Sequence, residues 1–178
     1  LTPALLKRRL KQGKEDPARI DERRGIARQL RPAGPLVWIH GASVGEVLAA
    51  GALIERLRAL NIRILLTSGT VTSAAVVAKR FPPDIIHQYV PYDSPRFVAR
   101  FLDHWQPSPA LFIESDLWPN LILAGAARRL PMVVINGRMS QRSFPRWQKF
   151  HGTISALLGR FDICLVQSDV DAERFSAL

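Results

Sequence analysis

The sequence contains a single cysteine, Cys164, so an internal disulfide is excluded. It lies in the apolar run Phe161-Asp162-Ile163-Cys164-Leu165-Val166 and reads as a buried strand thiol in a protein suited to a reducing compartment. Apolar runs are short. None approaches the ~18 residues that a membrane-spanning helix needs, and there is no secretory signal pattern. The chain starts at Leu1 rather than Met, which leaves room for an upstream segment. The four histidines (His40, His87, His104, His151) have no metal-ligand spacing, so no metal site and no cofactor is expected. Neither G-x-G-x-x-G nor G-x-x-x-x-G-K-[ST] occurs, which argues against dinucleotide and P-loop sites. Internal repeats and low-complexity segments are absent as well.

Acidic residues are scarce. Asp plus Glu total 15 against 25 Lys plus Arg, a net charge of +10. That balance favours polyanionic partners: nucleic acid, an anionic membrane surface or a phosphorylated substrate. No aromatic-rich strand motif, zinc pattern or helix-turn-helix signal supports nucleic acid, and none is expected. With 47% hydrophobic residues, the chain has enough to bury the core of one domain.

Residues 1–34 form a basic prelude. Leu5 to Lys11 reads as a short basic amphipathic helix that suits either solvent or an anionic bilayer. Arg19, Arg23, Arg24, Arg28 and Arg31 follow, and Pro32-Ala33-Gly34-Pro35 closes the segment. From Pro35 the pattern is regular. Strands are predicted over 36–40, 62–67, 85–90, 109–114, 131–136 and 162–166. Helices are predicted over 44–60, 71–81, 95–105, 118–129, 143–158 and 169–177. Such alternation implies βαβ units and a Rossmann-like, doubly wound parallel sheet over 35–178. Its strands are continuously apolar, as helices on both faces require. The last helix reaches the chain end without a cap, as expected of one half of a two-lobed enzyme.

Chemistry-bearing residues gather where strands end, the usual ligand position in open α/β sheets. After the first strand comes His40-Gly41-Ala42-Ser43-Val44-Gly45-Glu46. Ser43 and Glu46 have the spacing of a capping box, with the Ser43 hydroxyl accepting from the N–H of 46 and Glu46 reaching back to the N–H of 43. That role is worth on the order of 1 kcal/mol. Alternatively, Glu46 is a general base aimed at a hydroxyl in the crevice. Gly41 and Gly45 allow a tight turn and close approach of an acceptor. His40 reads as structural. Thr67-Ser68-Gly69-Thr70 suits either helix capping or phosphate binding. Glu114 ends the fourth strand, and Asp116 is placed to cap the next helix. Glu46 and Glu114, if their strands are neighbours, face one cleft, so a glycoside-hydrolase pair is conceivable. Arg138 and Arg142 follow the fifth strand, as a phosphate clamp or a solvated loop.

Five segments in order resemble one family. Trp38 to Glu46 is similar to its H-x-x-S-x-G-E segment, Thr67 to Ser73 to its second-strand loop, and Tyr89-Val90-Pro91-Tyr92-Asp93 to its Y-x-P-x-D. Glu114-Ser115-Asp116-Leu117-Trp118-Pro119-Asn120 resembles its E-[ST]-E-L-W-P-N, and Asn136 to Ser140 its N-A-R-L-S. The family is the 3-deoxy-D-manno-octulosonic acid (Kdo) transferases of lipopolysaccharide assembly, and the likeness runs from about Lys14 to the chain end. It implies the N-terminal, acceptor-binding half of an inverting GT-B glycosyltransferase, with a C-terminal donor-binding domain absent here. The donor would be CMP-Kdo and the acceptor the lipid A precursor lipid IVA, at the cytoplasmic face of the bacterial inner membrane. The enzyme would be peripheral in this fragment, because the N-terminal hydrophobic anchor usual in the family is lacking. Glu46 would be the general base and Glu114 a transition-state stabiliser. Ser43, Gly45, Thr70, Asp116, Arg138 and Arg142 would be acceptor-binding. Two departures stand out: Asp116 replaces a usual glutamate, and Gly137 a usual alanine, which is expected to loosen the loop holding Arg138. A GT-B glycosyltransferase domain using another activated sugar, or a non-catalytic basic module that binds nucleic acid, is the alternative.

Overall fold

The computed structural model describes residues 3–114 and 116–178. Leu1, Thr2, Ser115 and the side chains of Pro3, Ala4 and Leu5 lie outside the described residues. Six strands form one all-parallel sheet: β1 (Leu36–Gly41), β2 (Arg63–Ser68), β3 (Ile86–Tyr89), β4 (Ala110–Ile113), β5 (Met132–Gly137) and β6 (Ile163–Val166). Their order is β3-β2-β1-β4-β5-β6, a doubly wound arrangement whose direction reverses between β1 and β4. The expected alternation of strands and helices holds along the chain.

Period-two alternation divides the strand residues between two cores. Leu36, Trp38, Leu65, Phe112 and Met132 face one side, under α5 (Pro95–Trp105), α6 (Pro119–Ala127) and α8 (His151–Leu158). Val37, Ile39, Ile64, Leu66, Leu111 and Ile113 face the other, under α2 (Val44–Ala49), α3 (Gly51–Ala59) and α4 (Val71–Arg80). Trp38 anchors the first core, with ring centroids 5.0 Å from Phe101 and 5.2 Å from Phe112.

Two predicted helices are each broken in two. The 44–60 segment divides at Ala50 into α2 and α3, where Gly51 weakens the helix by about 1 kcal/mol relative to alanine. The 143–158 segment divides at Phe150 into α7 (Phe144–Lys149) and α8. The last helix, α9, spans Asp169–Ser176. β6 departs from the expected burial. As an edge strand it leaves Ile163 and Leu165 more than half exposed, and Cys164 is half-buried rather than buried.

The prelude forms α1 (Pro3–Lys11) and a run of 3-10 turns over Pro17–Arg24 that wraps the opposite edge strand, β3. An edge strand presents unpaired backbone groups, and here side chains satisfy them. Glu22 Oε2 accepts from the Tyr89 N–H at 2.8 Å, and Arg19 donates to the His87 carbonyl at 3.1 Å. Arg19 also donates to His87 Nδ1 at 3.0 Å. Arginine only donates, so the His87 proton sits on Nε2, which is 2.9 Å from Ser68 Oγ. Burial, with Arg19 and Arg23 nearby, pushes the His87 pKa down to about 3. Arg31 donates to the Trp105 carbonyl. Of the five arginines from Arg19 to Arg31, three (Arg19, Arg23 and Arg31) therefore point into the fold rather than into solvent.

The prelude is locked by an ion triad centred on the buried Glu15 and Arg23. Glu15 accepts from Arg9 Nε at 2.7 Å and from Arg23 Nε at 2.8 Å. Arg23 also donates to the Val90 and Gly69 carbonyls, in the loops after β3 and β2. Burial alone would raise the Glu15 carboxyl, but the Tyr92 hydroxyl, Arg23 and Arg9 outweigh it and hold it below the ordinary range. Replacing Glu15 by alanine strands the Arg23 charge and should cost about 3 kcal/mol or more in urea unfolding. Because the native pKa is depressed, the Glu15 contribution is full above the ordinary glutamate range. It is lost as pH falls through the lower native value. Acid titration of Glu15→Gln should therefore show a flatter loss of stability than the parent over that interval. An equal slope would assign the acid transition to other carboxylates.

Candidate active site

The site lies where the strand order reverses. β1 and β4 are hydrogen-bonded neighbours, with His40 opposite Phe112. The loops that leave them run to helices on opposite faces, which opens a crevice at the carboxyl ends of the strands.

Close packing shapes the first loop. A β-carbon on Gly41 would lie 3.0 Å from the Val47 nitrogen and 3.2 Å from Glu46 Cβ, so glycine lets α2 turn immediately over the end of β1. The Gly69 N–H donates to the Ala42 carbonyl at 3.0 Å, and a β-carbon there would lie 2.7 Å from the same oxygen. The loops after β1 and β2 are thereby held against each other. Gly45 is in open space, with Ser43 Oγ at 3.9 Å the nearest neighbour of an added β-carbon.

Ser43 caps α2, its Oγ accepting from the Glu46 N–H at 3.3 Å. The return half of the capping box differs from expectation. Glu46 Oε2 accepts from the Ala42 N–H at 2.7 Å, one residue further back than Ser43. The carboxylate is thus carried past the cap to the turn above β1, and it lines a pocket there while only 9% of the residue is exposed.

Glu114 enters from β4. Its N–H donates to the Ile135 carbonyl at 2.8 Å, and its φ of 62° lies in the left-handed region, a strain of roughly 1 kcal/mol for a residue with a β-carbon. Burial, and then the charge of Glu46, push the Glu114 carboxyl above the ordinary range, with Arg138 opposing. Asp116 shifts the other way. Burial would raise it, but His40 and then the Trp118 indole N–H, 2.8 Å from Oδ2, prevail and lower it.

His40 is less simply structural than its sequence context implies. The Trp38 indole N–H, a donor only, is 2.8 Å from Thr67 Oγ1, and Thr67 Oγ1 is 2.9 Å from His40 Nδ1. A Thr67 hydroxyl that accepts from Trp38 is free to donate to Nδ1, and a histidine proton on Nε2 then faces an acceptor, the Asp116 carboxylate. Nε2 points at Asp116 Oδ2 across 3.6 Å, too long for a formed hydrogen bond but close enough for charge–dipole attraction.

Ala42, Glu46, Glu114, Asp116, Arg138, Ser140 and Ser143 line an open pocket of about 450 Å³. Four candidates read from the sequence, Glu46, Glu114, Asp116 and Arg138, are thus brought together. Ser43 and Gly45 sit at the start of α2 beside them. Thr70 and Arg142 do not line the pocket. Thr70 caps α4 in a reciprocal box with Ser73, and Arg142 is exposed. Asp116 does not cap α6. Asp93 does, accepting from the N–H groups of Asn120 at 3.1 Å and Leu121 at 2.9 Å, which explains the Y-x-P-x-D and W-P-N segments as one joint. Gly137 does not leave slack either, since a β-carbon there would meet Val134, Phe175 and Val166 at 3.1 to 3.2 Å. Ser140 and Ser143 were missed because serine in a basic loop carries no distinguishing signal. Among the described residues, no three His, Cys, Asp or Glu side chains converge as metal ligands would.

A doubly wound parallel sheet with an acidic pocket over its reversal point defines the class: a Rossmann-like α/β domain. The family model for 3-deoxy-D-manno-octulosonic-acid transferase matches residues 18–178. The "probable 3-deoxy-D-manno-octulosonic acid transferase, mitochondrial" of Arabidopsis thaliana is 37% identical over 175 residues, covering 96% of this chain and 39% of that protein. The 3-deoxy-D-manno-octulosonic acid transferase of Rickettsia bellii is 37% identical over 172 residues, covering 96% of this chain and 41% of its own length. That of Haemophilus influenzae is 33% identical, with 80% and 34% covered. The chain belongs to the Kdo transferase family and corresponds to its N-terminal domain. It spans about two-fifths of the length of the first two relatives.

Replacing His40 by leucine removes the dipole aimed at Asp116. The Asp116 carboxyl should then move up toward the ordinary aspartate range, as read by carbon-13 NMR titration. An unchanged value would leave Trp118 as the sole cause.

Proposed function

We propose that this chain is the acceptor-binding half of an inverting glycosyltransferase that moves Kdo from CMP-Kdo to the lipid A precursor lipid IVA. Glu46 is the general base. The observation that carries this reading is the convergence of Glu46 and Glu114, from adjacent strand ends, on one pocket with Arg138. An inverting transfer needs one group to take the proton of the acceptor hydroxyl as its oxygen attacks the anomeric carbon. Glu46 fills that role from the first turn of α2, held in direction by the Ala42 N–H. CMP is already a good leaving group, so no general acid is required. Burial, and then the neighbouring Glu46 charge, raise the Glu114 carboxyl. Glu114, which lines the same pocket with Arg138, takes the part of transition-state stabiliser beside that base. Arg138, with Ser140 and Ser143 beside it, suits an anionic group of the acceptor.

The donor-binding half lies outside this chain, so the isolated chain is expected to bind acceptor without turnover. The net charge of +10 suits a bisphosphorylated acceptor among anionic lipids at the cytoplasmic face of the inner membrane. Among the described residues, no helix is long and apolar enough to cross a membrane. A different activated sugar would leave this half unchanged, and assays of the full-length enzyme with CMP-Kdo against other nucleotide sugars separate the two.

Glu46→Gln separates the cap from the base. The amide oxygen still accepts from Ala42, so unfolding free energy should change by no more than about 1 kcal/mol. Transfer by the full-length enzyme should fall by roughly 10²-fold or more. Activity that survives would remove Glu46 as base, and a collapse of stability would make its role structural.

A further inference from the structure

A cavity of about 610 Å³, larger than the acidic pocket, lies at the β3 edge and shares no lining residue with that pocket. Its walls come from the prelude, from α4 and the loop after it, from β3 and from the end of α5. Val77, Phe81, Ile85, Ile86 and Trp105 supply apolar surface. The volume is ordinary for a small-molecule site.

Several polar groups at this cavity are already satisfied. Glu22 is paired with Arg19 and accepts from the Tyr89 N–H. His87 has Arg19 against Nδ1 and Ser68 Oγ against Nε2, and its depressed pKa keeps it neutral. Two donors are left over. Gln88 is 2% exposed, and its Oε1 accepts from the Trp105 indole N–H at 2.7 Å. Indole nitrogen only donates, so this bond fixes which arm of the amide is oxygen and which is nitrogen. The nitrogen arm, Nε2, is buried and has no hydrogen-bond partner among the described residues. Native folds rarely leave a buried donor unpaired, because its lost hydration is not replaced. The second donor is Arg28, which is exposed at the cavity and makes no hydrogen bond or ion pair among the described residues. Arg19 and Glu22 cancel, so Arg28 leaves the cavity electropositive.

We propose that this cavity is a second ligand site, for a small organic anion with an apolar body. The body lies against Val77, Phe81 and Trp105. One ligand oxygen accepts from Gln88 Nε2, and the negative charge faces Arg28. A hydrocarbon would leave the Gln88 donor unpaired, and a cation would be repelled by Arg28. The site does not depend on the transferase reading.

Proton–nitrogen NMR of the chain tests it, with the Gln88 side-chain amide and the Trp105 indole N–H as reporters. Indole-3-acetate and octanoate serve as probes, and indole-3-acetamide as the neutral control. Either acid should shift both reporters, with a dissociation constant of roughly 1 mM. The acetamide should bind about fivefold more weakly or worse. Arg28→Gln and Ala78→Phe change exposed side chains and should leave the melting temperature unchanged. Arg28→Gln should weaken indole-3-acetate by about fivefold or more. Ala78→Phe, which fills the cavity from α4, should abolish the shifts. No shift with either acid at about 10 mM would overturn the proposal, and so would shifts that persist in Ala78→Phe. Equal affinity for acid and amide, or undiminished affinity in Arg28→Gln, would overturn the anion as the ligand class and the proposal with it.

Discussion

The pairing of β1 with β4 is the constraint on which the rest depends. β1 has a partner on each side: β2, the next strand in sequence, and β4, brought back across the sheet by α5. That return changes the face on which subsequent helices pack, and the loops after β1 and β4 diverge as a consequence. Glu46 and Glu114 come from those two loops. Were β4 placed at an outer edge instead, the carboxyl groups would be separated by whole strands and neither would feel the charge of the other. Burial raises both Glu114 and Asp116, and their neighbours decide the net direction. Glu114 faces a second carboxylate, whereas Asp116 faces donors on Trp118 and His40.

Support for this arrangement comes from both sides of the sheet. Toward β5, the Glu114 N–H is held by the Ile135 carbonyl. Toward β2, Gly69 is pressed against Ala42, whose own N–H orients Glu46. Arg23 adds a longer reach. It donates to the Gly69 carbonyl while paired with Glu15, so the ions of the prelude end on the loop that backs the turn carrying Glu46. A segment whose composition looks merely basic thus closes the β3 edge and braces the site.

Much of the fold was legible because it rests on local patterns. Continuous apolar runs marked β1, β2 and β4, and prolines and glycines marked the joints. The pattern misled where burial depends on position in the sheet. β6 is as apolar as β4, yet it forms an edge, and half of its side chains face solvent. Helix breaks at Ala50 and Phe150 escaped notice, since apolar periodicity continues across them. In the site, Glu46, Glu114, Asp116 and Arg138 were found from their places after strands. Thr70 and Arg142 had equally good places and lie elsewhere. Asp93 drew no attention as a cap because it acts on a helix whose first residue is 26 positions away.

Residue order alone therefore determined the βαβ class, the basic character and the set of polar groups at strand ends, since each follows from side-chain chemistry within a few neighbours. Only the tertiary structure decided which of those groups meet. Strand order is settled by crossover handedness and by the covering of two separate cores. These are properties of the whole sheet that no short stretch encodes. The direction of the Glu46 carboxylate, toward Ala42 rather than Ser43, was settled in the same way, by the close approach of the first helix to the end of the first strand.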